Sequence, residues 1–432
     1  MISRFIKYKN RIAIVIVFLT LCDLSLFIFD QVVGEEPGVV FGYKILNLIS
    51  ISNAIVIALA IGIKFSSVVI KFVKNILLST LGLFAKINSK NLLNAGISVV
   101  TVCFLLFLVE LTFYFLLKSN ETPYPFTYDY CEGNFFRSDS LLGWGAQQNT
   151  KAKYTKVWVD PVKHDTATVF KITYSSDSLG NRLIDIPGMN KRKKYSIFFG
   201  CSFTFGWGLE DTEAIPYYFA KTDTSFCSYN FAFGSYGPQN MLAKLQFTDL
   251  RREVKQEDGV CFYIFIDAHV ARAVGDMNTY VNFISDFPYY DYQGDSLHYY
   301  GSFRNGRKLI SSFYSIMSKS NFVKYYKINF PPRLKESHYK LASDVIYKSY
   351  QEYKRQFHNE NFYVVLYPGN NTIAPYLKNY NIHVIDCSSL FPFGKDNETT
   401  QYKIPKDGHP SALANELLAS HLKNVLANLN TH

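Results

Sequence analysis

The stretch FFGCSFTFGWG, at Phe198–Gly208, decides the fold of the C-terminal part of this 432-residue chain. It begins in a short apolar run, and Ser202 follows that run after a glycine and a cysteine. A serine at the sharp exit of a buried strand is well placed to act as a nucleophile. Much later the chain reads KDGHP at Lys406–Pro410, where His409 is a candidate base and Asp407 the carboxylate that orients it. The two stretches together indicate ester chemistry.

Short apolar runs recur around this serine and alternate with stretches that suit helices. The runs are Tyr195–Phe199, Phe226–Phe233, Val260–Ile266, Phe362–Tyr367 and Ile382–Ile385. The helix-compatible stretches are Thr212–Lys221, Pro238–Val254, Leu341–Phe357 and, near the C-terminus, Ser411–Leu426. Continuous apolar strands separated by helices predict an α/β fold, a doubly wound parallel sheet that is covered on both faces.

Chemistry-bearing residues follow several of these predicted strands. Ser202 follows the first strand, Asp267 and His269 follow the third, and Asp407 and His409 lie in the loop before the last helix. Ligands of such sheets bind beyond the carboxyl ends of the strands. We therefore expect all three sets at one edge of the sheet.

Three apolar stretches precede this domain: Ile12–Phe29, Ile45–Ile63 and Ile97–Leu117. Each reaches or approaches the roughly 20 residues that a helix needs to cross a bilayer. A cleavable signal peptide is the rival interpretation of the first stretch, but no small-residue cleavage site follows it and two further apolar stretches do. The sequence therefore predicts a membrane anchor of three transmembrane helices.

Basic residues set the predicted orientation of this anchor. Several lie before the first stretch and in the loop after the second: Arg4, Lys7, Lys9, Arg11, Lys64, Lys71, Lys74, Lys86 and Lys90. Because Lys and Arg stay on the cytoplasmic side, the N-terminus is predicted inside and everything after Leu117 outside. Two lysines interrupt Phe65–Phe84, which we interpret as an amphipathic helix on the inner face. As a fourth span, it would place the C-terminal domain in the cytoplasm.

Polar residues inside the predicted spans lie at similar depths. At a rise of 1.5 Å per residue, Asp23, Asn53 and Glu110 lie roughly 9–12 Å below the outer surface. Polar groups at this depth are costly and usually face a partner or a cavity. Two interpretations remain: a polar layer that contacts another membrane protein, or groups that are hydrated from the nearby interface.

Composition excludes several classes of function. The net charge is +10, but much of it comes from the lysines of the anchor, and no basic stretch interleaved with aromatics indicates nucleic-acid binding. The seven cysteines include no Cys-x-x-Cys, and no His/Cys spacing suits zinc. The sequence implies neither a metal nor an organic cofactor.

The predicted domain organisation has three parts. Residues 1–118 form the anchor, residues 119–193 a β-rich lead-in segment, and residues 194–432 the α/β domain. A Tyr-rich insertion at about residues 275–355 is interpreted as a cap over the active-site edge. Exposed tyrosines suit stacking on sugar rings, because each offers an apolar face and a polar tip, but the same rings can instead pack the cap's own small core.

These residues resemble the SGNH (GDSL-type) hydrolases over roughly Lys194–Leu426. Gly200–Gly206 is similar to the first block of the family, Asn230–Gly237 to the second and Asp407–Pro410 to the last. Two further stretches, Asp139–Trp144 and Leu179–Arg182, resemble the lead-in of envelope-anchored members. The resemblance implies Ser202 as nucleophile, His409 as base and Asp407 as its orienting carboxylate. It also implies an oxyanion held by the backbone N–H groups of Ser202 and of Gly234 or Gly237.

The chain departs from the family pattern in three places. Cys201 stands where the family has Asp, and Asp407 and His409 are one residue closer than in the common Asp-x-x-His. The shorter spacing is similar to that of envelope polysaccharide O-acetyltransferase relatives. The third block, Gly-x-Asn-Asp, is missing, and Asp267, His269 and Arg272 stand in its region.

Other roles for these residues remain open. Ser202 can be a plain helix N-cap, and Asp407 a turn residue. His269 can replace the missing oxyanion donor or form a structural pair with Asp267. Arg272 can bind a substrate carboxylate or pair with Asp267.

Together these features predict a membrane-anchored esterase that removes or transfers an acyl group, with acetyl the favoured group, on an envelope glycan or related ester. The shared acyl-enzyme leaves hydrolysis and transfer undecided, with hydrolysis favoured. The alternative is a catalytically weak or inactive domain that binds a glycan or a partner as the subunit of a membrane complex.

Overall fold

The computed structural model describes residues 39–40, 43–44, 89–119, 124–393 and 401–429. The chain divides into two compact units, each with its own internal contacts. One unit comprises Met1–Asn120 with Lys319–Arg333, and the other comprises Glu121–Ser318 with Leu334–His432. Several predicted features lie outside the described residues: Ile12–Phe29, Asp23, Ile45–Ile63, Asn53 and Phe65–Phe84.

The described elements are as follows. The strands are β1 (Val39–Val40), β2 (Tyr43–Lys44), β3 (Phe126–Glu132), β4 (Phe136–Asp139), β5 (Gly143–Ala146), β6 (Lys151–Asp160), β7 (Asp165–Ser175), β8 (Lys194–Phe199), β9 (Phe226–Asn230), β10 (Asp258–Phe265), β11 (Pro288–Gln293), β12 (Ser296–Ser302), β13 (Phe362–Leu366) and β14 (His383–Asp386). The α-helices are α1 (Ser89–Ser119), α2 (Ser202–Phe205), α3 (Ile215–Thr222), α4 (Pro238–Phe247), α5 (Ala268–Val274), α6 (Met277–Thr279), α7 (Phe303–Gly306), α8 (Lys308–Met317), α9 (Asn321–Tyr325), α10 (Glu336–Phe357), α11 (Ala374–Leu377) and α12 (Ala412–Leu429).

In the first unit, helix α1 carries a long apolar stretch. Among the described residues, Ser98–Lys118 is the one helical stretch long and apolar enough to cross a membrane, by length and composition. It coincides with the predicted third span, Ile97–Leu117. The chain returns to this helix much later, where Phe113 is buried with the ring of Phe322 at 5.1 Å.

The carboxylate of Glu110, one of the polar groups expected inside the spans, has partners within the chain. The Ser320 hydroxyl donates a hydrogen bond to it, and the Asn321 N–H donates another at 2.6 Å. The Asn321 side chain also donates to the Glu110 carbonyl oxygen at 3.3 Å. Glu110 therefore has polar partners within the chain, whereas the sequence left open a partner membrane protein or hydration from the interface.

The second unit is built on a five-stranded sheet with the order β14-β13-β10-β8-β9, in which every pair is parallel. The predicted α/β fold is therefore confirmed. From β8 the chain crosses to β9 on one side, and later strands are added on the other side. Such a reversal between β8 and β10 opens a crevice at the carboxyl ends of the strands, where ligands of these sheets bind.

Apolar side chains cover both faces of the parallel sheet. Helices α4, α5 and α10 pack on one face, with Leu245, Val270 and Tyr353 fully buried. Helices α3 and α12 pack on the other face, with Phe219 and Leu422 fully buried. Because both faces are covered, the strands read as continuous apolar runs, which is how the sequence revealed them.

Several predicted boundaries differ from the structure. The sequence predicts one helix over Pro238–Val254, but α4 ends at Phe247, and Asp249 caps a separate turn by accepting from the Arg251 N–H. Strand β9 ends at Asn230, whose side-chain oxygen accepts from the Ala232 N–H at 3.2 Å and turns the chain out of the sheet. Helices also shift at their ends: α3 begins at Ile215, α10 at Glu336, and α12 covers Ala412–Leu429.

Smaller sheets occupy the predicted lead-in and cap. Strands β3, β6 and β7 form a three-stranded antiparallel sheet in the lead-in range, and β11 pairs with β12 in the cap range. In the cap, Tyr289 and Tyr290 are buried, and the Tyr289 ring lies 5.1 Å from that of Phe303. Tyr300 keeps 38% of its surface exposed. Most of the tyrosines described here therefore pack inward.

Candidate active site

A tight turn after strand β8 presents the serine. Gly200 has a φ of +154°, and a Cβ added there would lie 2.1 Å from Thr204 Oγ1, so the turn requires glycine. Cys201 has an extended backbone and occupies the helix cap, and Ser202 is the first residue of α2. Ser202 keeps 8% of its surface exposed.

Ser202, His409 and Asp407 form a continuous hydrogen-bonded chain. His409 Nε2 lies 2.9 Å from Ser202 Oγ, and His409 Nδ1 lies 2.5 Å from Asp407 Oδ1. With Asp407 ionised, Nδ1–H donates to the carboxylate, and Nε2 is left to accept from the Ser202 hydroxyl; this tautomer is assigned from the contacts. The alternative of Ser202 as an N-cap does not fit, because Cys201 holds that position.

Backbone hydrogen bonds shape the loop that carries Asp407 and His409. The Ile404 N–H donates to the His409 carbonyl at 2.8 Å, and Lys406 and Gly408 both have positive φ, at +63° and +86°. The tight turn directs the His409 backbone N–H to Asp407 Oδ1 at 3.2 Å, the same oxygen that accepts from the ring. The short Asp-x-His spacing is therefore compatible with the ring contact.

Lys156 is a second partner of Asp407 that sequence analysis missed. Its Nζ lies 2.6 Å from Asp407 Oδ2 and 3.7 Å from Asp129 Oδ1. The Asp407 side chain has no exposed surface. Burial alone would raise the pKa of Asp407, but hydrogen bonds and charges from His409 and Lys156 outweigh it and lower the pKa to about 2. Lys156 lies on β6, 251 residues earlier, and no local pattern distinguishes it from other polar residues of that strand.

Aromatic rings border His409. The His409 ring lies 5.6 Å from the ring of Phe203 and 6.2 Å from that of Trp207. Trp207 also lies close to the second block, because a Cβ added to Gly234 would be 3.1 Å from its ring. The Trp207 ring therefore leaves little room for a side chain at position 234.

Two backbone N–H groups are candidates for holding an oxyanion. Ser202 begins α2, where helical N–H groups lack an acceptor within the helix. Within the described part of the chain, the Gly234 N–H likewise has no acceptor, and Trp144 fixes this residue by donating to its carbonyl at 3.0 Å. The Gly237 N–H donates to Asn240 Oδ1 at 3.0 Å, which leaves Gly234 as the better candidate.

The residues in place of the missing third block lie at the start of α5, with Asp267 at its cap and His269 and Arg272 within it, but they do not form one group. His269 is fully buried, and its Nδ1 lies 2.7 Å from the Tyr263 hydroxyl. Because the Ile266 N–H also donates to this nitrogen, at 3.5 Å, Nδ1 is assigned as the acceptor of the Tyr263 hydroxyl. Burial, and then the charge of Arg272, hold the pKa of His269 well below its usual range. Asp267 accepts from the Thr372 hydroxyl at 2.7 Å. The Asp267–His269 pair that the sequence suggested is thus replaced by separate contacts.

Arg272 has a different partner from those expected. Its Nη1 donates to the Tyr236 carbonyl at 2.9 Å, and Gln239 donates to the Arg272 carbonyl at 3.1 Å. Arg272 therefore holds the second-block loop, next to Gly237, rather than pairing with Asp267.

A buried guanidinium from the lead-in segment supports the turn that carries Ser202. Arg182 is fully buried at its side chain and donates to the carbonyls of Phe205, Gly206 and Leu209 at 2.7–2.9 Å. It also pairs with Asp211 at 3.1 Å. These carbonyls follow α2 directly, so Arg182 holds the chain just beyond Ser202. The sequence resemblance marked the Leu179–Arg182 stretch without revealing this role.

The arrangement suits nucleophilic catalysis by serine. An imidazole bound to an ionised carboxylate can take the proton of a serine hydroxyl and later return it to a leaving group. Among the described residues, no three His, Cys, Asp or Glu side chains are grouped as ligands of a metal ion would be.

No protein-family model and no curated protein matches the sequence, but solved structures do. A member of the lipolytic protein G-D-S-L family from Veillonella parvula is 12% identical, over 54% of this chain and 98% of its own, with a TM-score of 0.28. This chain resembles the SGNH (GDSL-type) hydrolases. An acetyl xylan esterase from the rumen bacterium Butyrivibrio proteoclasticus is 8% identical, over 71% of this chain and 90% of its own, with a TM-score of 0.35.

Proposed function

We propose that this chain is a membrane-anchored serine esterase of the SGNH type. The observation that carries the proposal is the contact chain at the sheet edge. His409 lies within hydrogen-bond distance of Ser202 Oγ, at 2.9 Å, and is oriented by the buried Asp407, at 2.5 Å. Such a chain of contacts generates a serine nucleophile without any other group.

In the proposed reaction, His409 Nε2 takes the Ser202 proton while Oγ bonds to the ester carbonyl carbon. The Ser202 and Gly234 N–H groups stabilise the oxyanion that forms. The C–O bond to the alcohol then breaks, and His409 gives its proton to the departing oxygen. A water molecule, or a sugar hydroxyl, attacks the acyl-enzyme by the same route in reverse and frees Ser202.

The proposed substrate is a short acyl ester, such as acetyl, on an envelope glycan. Ser202 is 8% exposed, and the Phe203 and Trp207 rings border His409, so a short acyl group fits beside Oγ better than a long chain. The positive-inside pattern supports three spans, with the N-terminus in the cytoplasm and residues 119–432 outside it. That location would give the enzyme access to envelope polymers.

Activity of the full-length protein on an aryl acetate tests the proposal. Ser202→Ala should abolish acid release, whereas the exposed Ser296→Ala, a matched serine outside the site, should leave it unchanged. A folded wild-type protein without activity, or activity that survives Ser202→Ala, would contradict the esterase proposal. Adding glycan oligomers separates hydrolysis from transfer: transfer would acetylate the oligomers faster than acid appears.

The alternative, a weak or non-catalytic binding domain, rests on one specific observation. The third-block Asn is missing, and the buried His269 offers no exposed group in its place. Loss of one oxyanion donor costs about 10²–10³ in rate. A wild-type rate on aryl acetate that is indistinguishable from Ser202→Ala, with glycan binding retained, would favour this alternative.

A further inference from the structure

Helix α8 has an exposed apolar stripe. Ser311 and Tyr314 are buried on one side, where the Ser311 hydroxyl donates to the Phe303 carbonyl at 2.8 Å. The opposite side carries the residues that we call the α8 stripe, with exposed fractions of 44–87%: Leu309, Ile310, Phe313 and Ile316. Residues three and four apart share a helix face, so these side chains form one continuous surface.

A neighbouring segment widens this surface. The Tyr280 ring lies 6.0 Å from that of Tyr314, so the turn Tyr280–Ile284 packs beside α8. Val281 and Phe283 of that turn are 43% and 53% exposed. A contiguous apolar surface of this kind marks a contact with another protein or a membrane.

The chain after α8 goes directly to the candidate span. Three residues beyond Met317, Ser320 donates to the Glu110 carboxylate of α1, and Asn321 does so from its backbone. Glu110 lies eight residues before Lys118, where the apolar stretch ends. At 1.5 Å per residue, this contact lies about 12 Å along the helix from that end.

Covalent geometry ties the end of α8 to this depth. Three residues of chain reach at most about 10 Å, so Met317 lies no farther than that from Ser320. If α1 crosses a bilayer with Lys118 at its surface, Ser320 lies at the level of the outer hydrocarbon layer. The end of α8 must then lie below the membrane surface, by at least about 2 Å.

Charge around the stripe favours lipid over another protein surface. Residues 303–335 contain eight Lys and Arg residues and no Asp or Glu. Lys308, Lys319, Lys324 and Lys327, which bracket the stripe and follow it, are exposed. Helices with an apolar face and flanking lysines lie in the membrane interface, and the lysines attract anionic headgroups.

We infer that α8 is an interfacial membrane helix whose stripe inserts into the outer boundary of the bilayer. This inference rests on the membrane-anchoring part of the proposed function and not on its chemistry. It gives the second unit a lipid contact of its own, in addition to its covalent connection to α1.

Quenching by lipids with brominated acyl chains tests the inference on the full-length protein in nanodiscs that contain anionic lipid. Phe313→Trp and Ile316→Trp report on the stripe, Phe104→Trp reports on the span, and Val162→Trp, 63% exposed at wild type between β6 and β7, is the control. The emission that each added tryptophan contributes is measured against the wild-type protein. We expect the stripe and span reporters to lose most of it and the control to lose none.

Each outcome decides the inference. If Phe104→Trp is quenched while both stripe reporters are not, α8 does not contact lipid, and a protein partner must cover the stripe. If no reporter is quenched, the result contradicts the membrane anchoring and therefore also the inference that α8 contacts lipid. Aryl acetate hydrolysis is measured on the same nanodiscs. Because this activity does not depend on the quenching result, it tests the esterase proposal separately.

Discussion

Two segments that follow strands of the parallel sheet each carry a histidine, one in a loop and one in helix α5, and the two histidines have opposite surroundings. His409 keeps 24% of its side chain exposed, and its ring contacts both the Ser202 hydroxyl and the ionised Asp407. His269, after β10, has no exposed surface and binds the hydroxyl of Tyr263. Burial and the charge of Arg272 hold the pKa of His269 well below its usual range.

The difference teaches that position at the sheet edge does not make a histidine a base. A base must become an imidazolium during the reaction, and a buried ring without a carboxylate pays the full cost of desolvation to do so. The Asp407 carboxylate supplies the compensating charge to His409. His269 has only a neutral phenol, since burial raises the pKa of Tyr263 well above its usual value.

The largest effect is expected from removing the reacting pair. Ser202→Ala and His409→Ala should each lower kcat/KM on an aryl acetate by about 10³-fold or more, because neither residue acts without the other. Steady-state kinetics on the full-length protein measures this, with circular dichroism as the folding control. Residual activity within tenfold of wild type in either folded variant would break the contrast between the two histidines.

Asp407→Asn should have nearly as large an effect, about 10²–10⁴-fold in kcat, because the amide favours the wrong imidazole tautomer. The variant should still bind substrate, so KM should change little. Steady-state kinetics at several substrate concentrations separates kcat from KM. A kcat close to wild type would mean that Asp407 is a turn residue, as its place beside Gly408 allows.

Gly234→Ala should lower kcat by about 10²-fold, because an oxyanion donor is displaced when the new methyl group meets the Trp207 ring. The neighbouring Ser235→Ala is the matched control, since Ser235 already has a side chain at a φ of +63°. Measured kcat values decide. Equal rates for Gly234→Ala and wild type would exclude the Gly234 N–H from the reaction.

Lys156→Met should shift a pH profile more than a rate. Without the ammonium group, less of the Asp407 negative charge is neutralised and more of it stabilises the imidazolium, so the acid limb of kcat/KM should move to higher pH. Lys153→Met, an exposed lysine on the same strand, is the control. An acid limb at the wild-type pH would show that the charge of Lys156 does not act on the site and that the side chain contributes packing alone.

The same ion pair has a consequence for stability. The pKa of Asp407 is lowered to about 2 in the folded protein, so its pairing stabilises the fold above about pH 4 and is lost as the pH falls towards 2. Lys156→Met should therefore reduce the free energy of unfolding at neutral pH, and the two proteins should converge near pH 2. Denaturant unfolding at both pH values measures the difference.

The smallest effect on activity is expected at the buried histidine. His269→Phe removes the acceptor of the Tyr263 hydroxyl, which should lower stability by about 1–3 kcal/mol. The kcat on an aryl acetate should stay within a few-fold of wild type, because His269 does not touch the reacting groups. Thermal unfolding and kinetics on the same preparation measure both. A large loss of kcat without a loss of stability would restore His269 as an oxyanion donor.

The sequence predicts the parallel sheet and the triad because each leaves a local pattern. Continuous apolar runs mark β8, β10 and β13, and the turn glycines mark the loops that carry Ser202 and His409. Both signals come from neighbouring residues and need no knowledge of distant contacts.

Long-range partners leave no such pattern. Lys156 meets Asp407 across 251 residues, and Ser320 meets Glu110 across 210. His269 follows a buried strand, a position that the sequence also associates with site residues. Only the packing of Tyr263 and Phe265 around its ring shows that the ring lies in the core. Contacts between residues that are distant in sequence are therefore known from the structure alone.

Labelling with a serine-reactive phosphonate, followed by peptide mapping, tests the central claim most directly. The full-length wild-type protein and His269→Phe should each carry a single adduct at Ser202. His409→Ala should carry none after the same time at the same reagent concentration. An adduct on another serine, none on the folded wild-type protein, or labelling that depends on His269 but not on His409 would contradict this account.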